Sequence, residues 1–315
     1  MKYEALFNRV HVPKIDEISS FDASFGFIGS CFSSSMHERF RRVGLSAWMS
    51  PYGTTYNPIS IERQLIGTMD LDYKFNEYTH DDACFHWETS HQLVFSSAEE
   101  GRNHMNALRI QAHQNLQSMD YLFITLGSAW VYELEETGLL VANCHKVPQH
   151  KFRKRLLEID EIMASLSRIK AMLNPFNPFL RIVFTVSPVR HLRDGLVENN
   201  WSKARLIEAC QRICATPLPP TYFPSYELII DELRDYRFFE PDGVHPNALA
   251  IDFVWDKLCE SLFDASLGSV FREVLAVRRL ESHRFLSAHH EKQQGRAEQV
   301  KAMKQKLSAE HSIHW

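Results

Sequence analysis

Short apolar runs alternate along most of this chain with longer stretches in which apolar residues recur every three or four positions. The runs Phe25–Ile28, Leu45–Met49, Tyr121–Leu126, Arg181–Val186 and Tyr226–Ile230 read as strands. The segments Ile59–Thr68, Ala98–Ser118, Asp160–Leu173, Trp201–Thr216 and Asn247–Leu262 carry helical spacing. Strand followed by helix, repeatedly, predicts a parallel sheet with helices on both faces. After the first run, Met36, Phe40 and Val43 fall on one face of a helix that Gly44 terminates.

Two stretches, 70–95 and 133–155, are too long for simple connections and carry His, Asn and aromatic residues, so they are expected to form a lid or a substrate-binding cap. From about Gly268 to Trp315 Arg, Lys, Glu, Gln and His dominate, with Val274, Leu275, Phe285 and Leu286 as sparse apolar points. The pattern divides the chain into an α/β domain over 1–267 with two insertions and a charged C-terminal tail over 268–315, helical or partly disordered. The tail reads as a solvated helix face, and it is the segment through which copies of the chain would associate.

Composition narrows the function classes. The chain has 315 residues, 44% of them hydrophobic and 23% charged, which suits one large globular domain. A formal net charge of -4 offers no global basic footprint for nucleic acid. Neither a membrane-span pattern nor a signal-peptide core appears, and a cytoplasmic protein is expected. Six cysteines without C-x-x-C pairs fit reduced thiols. Among the sixteen histidines, His86 with His91 and His145 with His150 are five apart, unlike a helical zinc pair, so neither a metal nor another cofactor is called for.

The candidate chemistry sits at two distant places. The run Phe25–Ile28 ends in Gly29-Ser30-Cys31 and is followed by helix-compatible sequence, which puts Cys31 on a turn from strand to helix N-terminus. Helix N–H groups there favour the thiolate, and a nearby imidazole would lower the thiol pKa further. Asp242 and His245 stand three apart just before a helix starting near Asn247, so the carboxylate is able to fix the imidazole tautomer and leave the other ring nitrogen facing a nucleophile. Blander readings accompany these: Cys31 as a buried hydrophobe, Ser30 as the nucleophile, Asp242 as a turn cap.

The strings Gly29-Ser30-Cys31-Phe32, Asn143-Cys144-His145-Lys146-Val147-Pro148, Thr185-Val186-Ser187-Pro188-Val189-Arg190-His191 and Asp242-Gly243-Val244-His245-Pro246 resemble the GSCFA domain family, which is similar to the SGNH (GDSL-type) hydrolases. The resemblance covers about 20 to 262. It implies a three-layer α/β/α sandwich around a mainly parallel five-stranded sheet, with a nucleophile in the first block and an Asp-x-x-His dyad in the last. Cys31 then stands where those hydrolases have serine and Ser30 where they have aspartate. Gly53 matches the glycine of the second block, and its N–H with that of Cys31 would form an oxyanion hole. The third block departs: Ala129, in Gly127-Ser128-Ala129-Trp130, replaces the asparagine expected there. Asn57, Asn143 and Trp130 are the candidate replacements.

The resulting expectation is a cysteine-dependent ester hydrolase or acyltransferase, with a Cys31/His245/Asp242 triad and an acylated small molecule or carbohydrate as substrate. The competing class is a non-catalytic carbohydrate- or partner-binding protein on the same scaffold, favoured by Ala129 and the aromatic insertions. Further contacts to substrate are expected from Ser30, His91, Trp130, Asn143, His145, Lys146, Ser187 and Arg190. His145 and Lys146 either touch a polar substrate group or belong to an ordinary surface loop. Arg190 either clamps an anion or forms a structural salt bridge.

Overall fold

The computed structural model describes residues 8–282, 290–311, 313 and 315; Phe285 and Leu286 of the tail lie outside them. The first half of the chain forms β1 (Ser24–Gly29), α1 (Cys31–Arg42), β2 (Ser46–Met49), α2 (Pro58–Met69), β3 (Glu77–His80), β4 (Ala83–His86), α3 (Ala98–Ser118) and β5 (Tyr121–Leu126). There follow β6 (Trp130–Leu134), β7 (Leu140–Val141), β8 (Phe152–Leu156), α4 (Ile159–Phe176), β9 (Arg181–Val186), α5 (Leu196–Cys214) and β10 (Thr221–Tyr222). The chain continues with a short turn of helix α6 (Ser225–Glu227), which runs into a π-helical segment Leu228–Leu233, and with α7 (Ala248–Leu262), α8 (Ala265–Ser282) and α9 (His290–His311).

The main sheet has the order β10-β9-β5-β1-β2, and every pairing in it is parallel. Side chains alternate between its faces, as the two-residue period of a strand requires. Phe25, Phe27, Tyr121, Phe123 and Val183 enter one apolar layer with Phe40 of α1 and Val254 and Leu258 of α7. Ile28, Leu122, Ile124, Leu126, Phe184 and Val186 enter the other with Ile61 of α2, Ile162 of α4 and Leu206 of α5. Helices therefore cover both faces of a five-stranded parallel sheet, the expected α/β/α arrangement. No helix among the described residues is long and apolar enough to cross a membrane.

Two expectations are corrected, and the insertions gain detail. Tyr226–Ile230 is helical, not a strand; the fifth strand is Thr221–Tyr222 just before it. An apolar run of that length is compatible with a buried helix, and Leu228 and Ile229 are buried in the layer with α7. The two insertions form structure of their own, a β3–β4 hairpin and an antiparallel β7-β6-β8 sheet. Finally, 268 is not a packing boundary. Leu267, Val270, Phe271, Val274 and Val277 of α8 join the apolar layer that holds Phe25 and Phe40, and Val300 and Leu307 of α9 add to it.

Candidate active site

Because all five strands are parallel, their carboxyl ends share one edge, and a crevice opens where the chain order reverses. That point lies between β1 and β5: β2 follows β1 on one side, whereas β5, β9 and β10 extend the other. Gly29, the last residue of β1, has φ +127°, and a Cβ there would stand 2.1 Å from the Thr125 carbonyl oxygen. Only glycine lets the strand end approach β5 this closely. Ser30 N–H then donates to the same oxygen at 3.0 Å, and Cys31 begins α1. The first turn is anchored by Ser33, whose hydroxyl meets the Thr125 hydroxyl at 2.7 Å.

Cys31 is partly buried. Burial raises its thiol pKa above the ordinary value, opposed by the N–H groups of Cys31 and Phe32 and by Lys203. The helix N-terminus acts in the expected direction, but desolvation outweighs it. Ser30, in contrast, is buried, and its hydroxyl has no partner among the described residues.

Asp242 and His245 form the expected dyad. Asp242 Oδ2 lies 2.7 Å from His245 Nδ1, while Oδ1 accepts the N–H groups of Val244 at 2.8 Å and His245 at 3.0 Å. The imidazole and these N–H groups hold the Asp242 pKa down at about 2. With Nδ1 turned to the carboxylate, Nε2 is the ring nitrogen left for chemistry. Both side chains are exposed. Their loop is tied to the segment after β9, because Arg190 N–H donates to Val244 O and the guanidinium to Gly243 O, both at 3.3 Å. The Arg190 guanidinium also packs over Phe239 at 4.4 Å. It braces the dyad loop, a role that neither sequence reading gave it.

The segment after β9 supplies more of the edge. Ser187 is fully buried and its hydroxyl accepts Val189 N–H, so it is not placed to touch a substrate. His191 packs edge-on against Tyr56 with ring centroids 5.1 Å apart. Burial first, then Lys203 and His245, push its pKa down to about 4, with Asp194 acting against them. Lys203 of α5 is 1% exposed and donates to Gly127 O at 2.6 Å and Ser187 O at 2.7 Å. Sequence reasoning missed this lysine. A signal existed: Lys203 falls on the same stripe as Leu206, Cys210 and Ile213, where an apolar residue is the rule.

The other oxyanion candidates are differently engaged. Gly127 and Ser128 N–H groups both donate to Tyr56 O, at 2.7 and 3.0 Å, and Ala129 is fully buried with its N–H on Ser202 Oγ. Asn57 caps α2: its Oδ1 accepts Ser60 N–H at 2.8 Å and its Nδ2 donates to Ser60 Oγ at 3.0 Å. The second Nδ2 N–H takes part in neither bond, and Asn57 lines the cavity beside this edge. Trp130 Nε1 donates to Glu198 O at 3.3 Å, and Asn143 Oδ1 accepts His145 N–H at 2.8 Å. The Gly53 loop is pinned beside β1 by Ser50 N–H on Phe27 O and Thr55 N–H on Gly29 O. Gly53 has φ +77°, and a Cβ there would stand 2.1 Å from Ser90 Oγ.

A cavity of about 550 Å³ adjoins this edge and is walled by Tyr56, Trp130, Tyr132, Asn143, Lys146, His191 and Arg193, among others. His145 belongs to the wall, but its ring is stacked on Phe85 at 4.0 Å and held by Thr89 O at 3.1 Å. Burial pushes its pKa down to about 4. That imidazole serves the packing of the two insertions on each other. His91 is exposed and stands outside the cavity wall, contrary to expectation.

Comparison with known proteins adds the following. The sequence model described as the GSCFA family matches residues 24–258. No curated protein matches the sequence. Among solved structures, a carbohydrate esterase family 3 protein from Talaromyces cellulolyticus is similar at 11% identity and TM-score 0.36, covering 80% of this chain and 99% of that one. An acetyl xylan esterase from Butyrivibrio proteoclasticus is similar at 9% identity and TM-score 0.40, covering 80% and 64%. A family two carbohydrate esterase from Clostridium thermocellum is similar at 10% identity and TM-score 0.35, covering 80% and 65%.

Proposed function

The chain belongs to the GSCFA family, and on that premise we propose that it is a cysteine-dependent acyl-transfer enzyme, an ester hydrolase or acyltransferase, with Cys31, His245 and Asp242 as its reacting set. The observation that supports the reading is an Asp242–His245 dyad closed at 2.7 Å on a loop bonded to the segment after β9, in a chain whose first strand ends in a thiol at the N-terminus of α1. In the first half-reaction His245 Nε2 takes the Cys31 proton and the sulfur attacks the ester carbonyl. The N–H groups of Cys31 and Gly53 hold the developing oxyanion. The imidazolium then protonates the departing alcohol oxygen, leaving a thioester. Water or an acceptor hydroxyl, deprotonated by His245, attacks the thioester and restores the thiol.

The aromatic and polar wall of the adjoining cavity, with Trp130, Tyr132, Asn143 and Lys146, suits an acylated carbohydrate. One observation favours the competing binding role: Ala129 is buried where a third oxyanion donor is expected, and loss of such a donor costs on the order of 10²–10³ in rate. Incubation with p-nitrophenyl acetate followed by mass spectrometry separates the two. The catalytic reading expects an acetyl adduct on Cys31 that forms about 10²-fold more slowly in His245→Ala. Acetylation confined to other thiols would leave the binding reading standing.

A further inference from the structure

The cavity beside the sheet edge carries charge that its own residues do not balance. Lys146 and Arg193 both line it and both are exposed, and neither has a carboxylate or hydrogen-bond partner among the described residues. The one carboxylate on the wall, Asp194, is already held by Lys154 in an ion pair. Lys154 in turn lies 4.8 Å from the centre of the Trp130 ring, so a third cation stands behind the same wall. Because the whole chain has a net charge of -4, this excess is a local feature of the cavity and not part of a basic surface. The two cations come from different elements. Arg193 sits in the turn Leu192–Asp194 after β9, and its charge acts on Cys144 of the second insertion. Lys146 follows His145, whose ring is stacked on Phe85 at 4.0 Å and whose N–H is held by Asn143 Oδ1 at 2.8 Å, so its backbone is set before a ligand arrives. The cavity approaches the nucleophile turn at Tyr56: a Cβ on Gly127 would meet Tyr56 Cδ1 at 2.8 Å and Ser30 Cβ at 3.2 Å.

We propose that this cavity binds an anionic substituent of the substrate, a carboxylate or a phosphate carried by the sugar, between Arg193 and Lys146. The inference deepens the acyl-transfer reading and rests on it for taking the cavity as the substrate site. A guanidinium offers parallel N–H bonds that match two oxygens of a carboxylate or phosphate, and the ammonium adds a compact charge from the insertion. A neutral acylated sugar would leave both cations facing water alone, and a cationic one would be repelled. The substrate class is therefore an acyl ester of a sugar acid or of a sugar phosphate. The anion clamp that sequence reasoning offered to Arg190 thus falls three residues further along the same segment, since the fold uses Arg190 on Gly243 O.

The test is isothermal titration calorimetry of the full chain with glucuronate, glucose-6-phosphate and glucose, none of which is an ester. At least one anion is expected to bind about tenfold or more tightly than glucose, the effect of one charge-assisted hydrogen bond. That advantage should shrink towards about 0.5 M sodium chloride as the charges are screened. Which anion binds more tightly separates a carboxylate site from a phosphate site. In the double variant Lys146→Gln/Arg193→Gln the advantage over glucose is expected to vanish. Asp194→Asn removes the negative charge of the wall and should tighten anion binding severalfold, a gain that misfolding does not produce. Anions that bind no better than glucose, a preference that survives in the double variant, or no gain in Asp194→Asn each overturn the proposal. An acetyl adduct on Cys31 without any preference for the anions would keep acyl transfer and remove the anion site, and the preference without the adduct would do the reverse.

Discussion

Burial acts on Cys31 and Lys203 in opposite chemical senses, raising the acid and lowering the base, because each charged form loses water. For the lysine this becomes a statement about stability. Its pKa falls from 10.5 in the free side chain to about 7 in the fold. The cost of burying it is thus fully present below pH 7 and disappears as pH rises towards the unfolded value. Between those limits the unfolded chain binds the extra proton, so stability rises with pH. Relative to Lys203→Met, the wild type is expected to gain up to about 1.4 kcal/mol per pH unit between pH 7 and 8.5, below the range where Cys31 titrates. Urea unfolding at three pH values measures the difference, and a flat difference would mean that the amine stays charged in the fold.

Two insertions that are weak alone pack into one unit together. A lone hairpin is marginal in water, but Phe85 of β4 stacks on His145, and Ala142 N–H donates to Trp87 O at 2.8 Å. Trp87, Val141, Val147 and Phe152 close an apolar cluster around them. Phe85→Ala is expected to cost this unit about 3–5 kcal/mol. Hydrogen exchange at the Ala142 amide should accelerate, and KM for an ester substrate should rise, while the rate of Cys31 alkylation stays near wild type. Unchanged exchange at Ala142 would show that the unit does not depend on this contact. The Tyr226–Ile230 segment carries the complementary lesson: five apolar-rich residues suit a strand or a buried helix equally, and the packing of Leu228 and Ile229 against the α7 layer chose the helix.

At the scale of the molecule, one apolar layer runs from the sheet through α1 and α7 into the C-terminal helices. Phe271 of α8 meets Phe21 at 5.7 Å and Phe263 at 5.1 Å, and Val274 and Val277 are fully buried. Truncation after Asp264 would strip these side chains and open the layer to water, at roughly 1.5–3 kcal/mol for each large apolar side chain exposed. The truncated chain is expected to lose its cooperative thermal transition by circular dichroism. A melting temperature within a few degrees of the full chain would restore the picture of an independent tail.

Much of this was legible in the sequence because it is local. Alternating strands and amphipathic helices follow from side-chain period alone, and their order is enough for a parallel sheet covered on both sides. Glycine before Ser30-Cys31 and the Asp-x-x-His spacing are likewise short-range signals: the first ends β1 at the start of α1 and the second closes a carboxylate–imidazole hydrogen bond. What required the tertiary structure was everything decided by desolvation and by neighbours distant in the chain. The net direction of the Cys31 shift, the commitment of Asn57 to its helix cap, the role of Arg190 as a brace and the burial of Lys203 under Gly127 and Ser187 all depend on which groups lose water together. A sequence records residue types and spacings, but the balance between a charge and its surroundings exists only once the chain has closed around it.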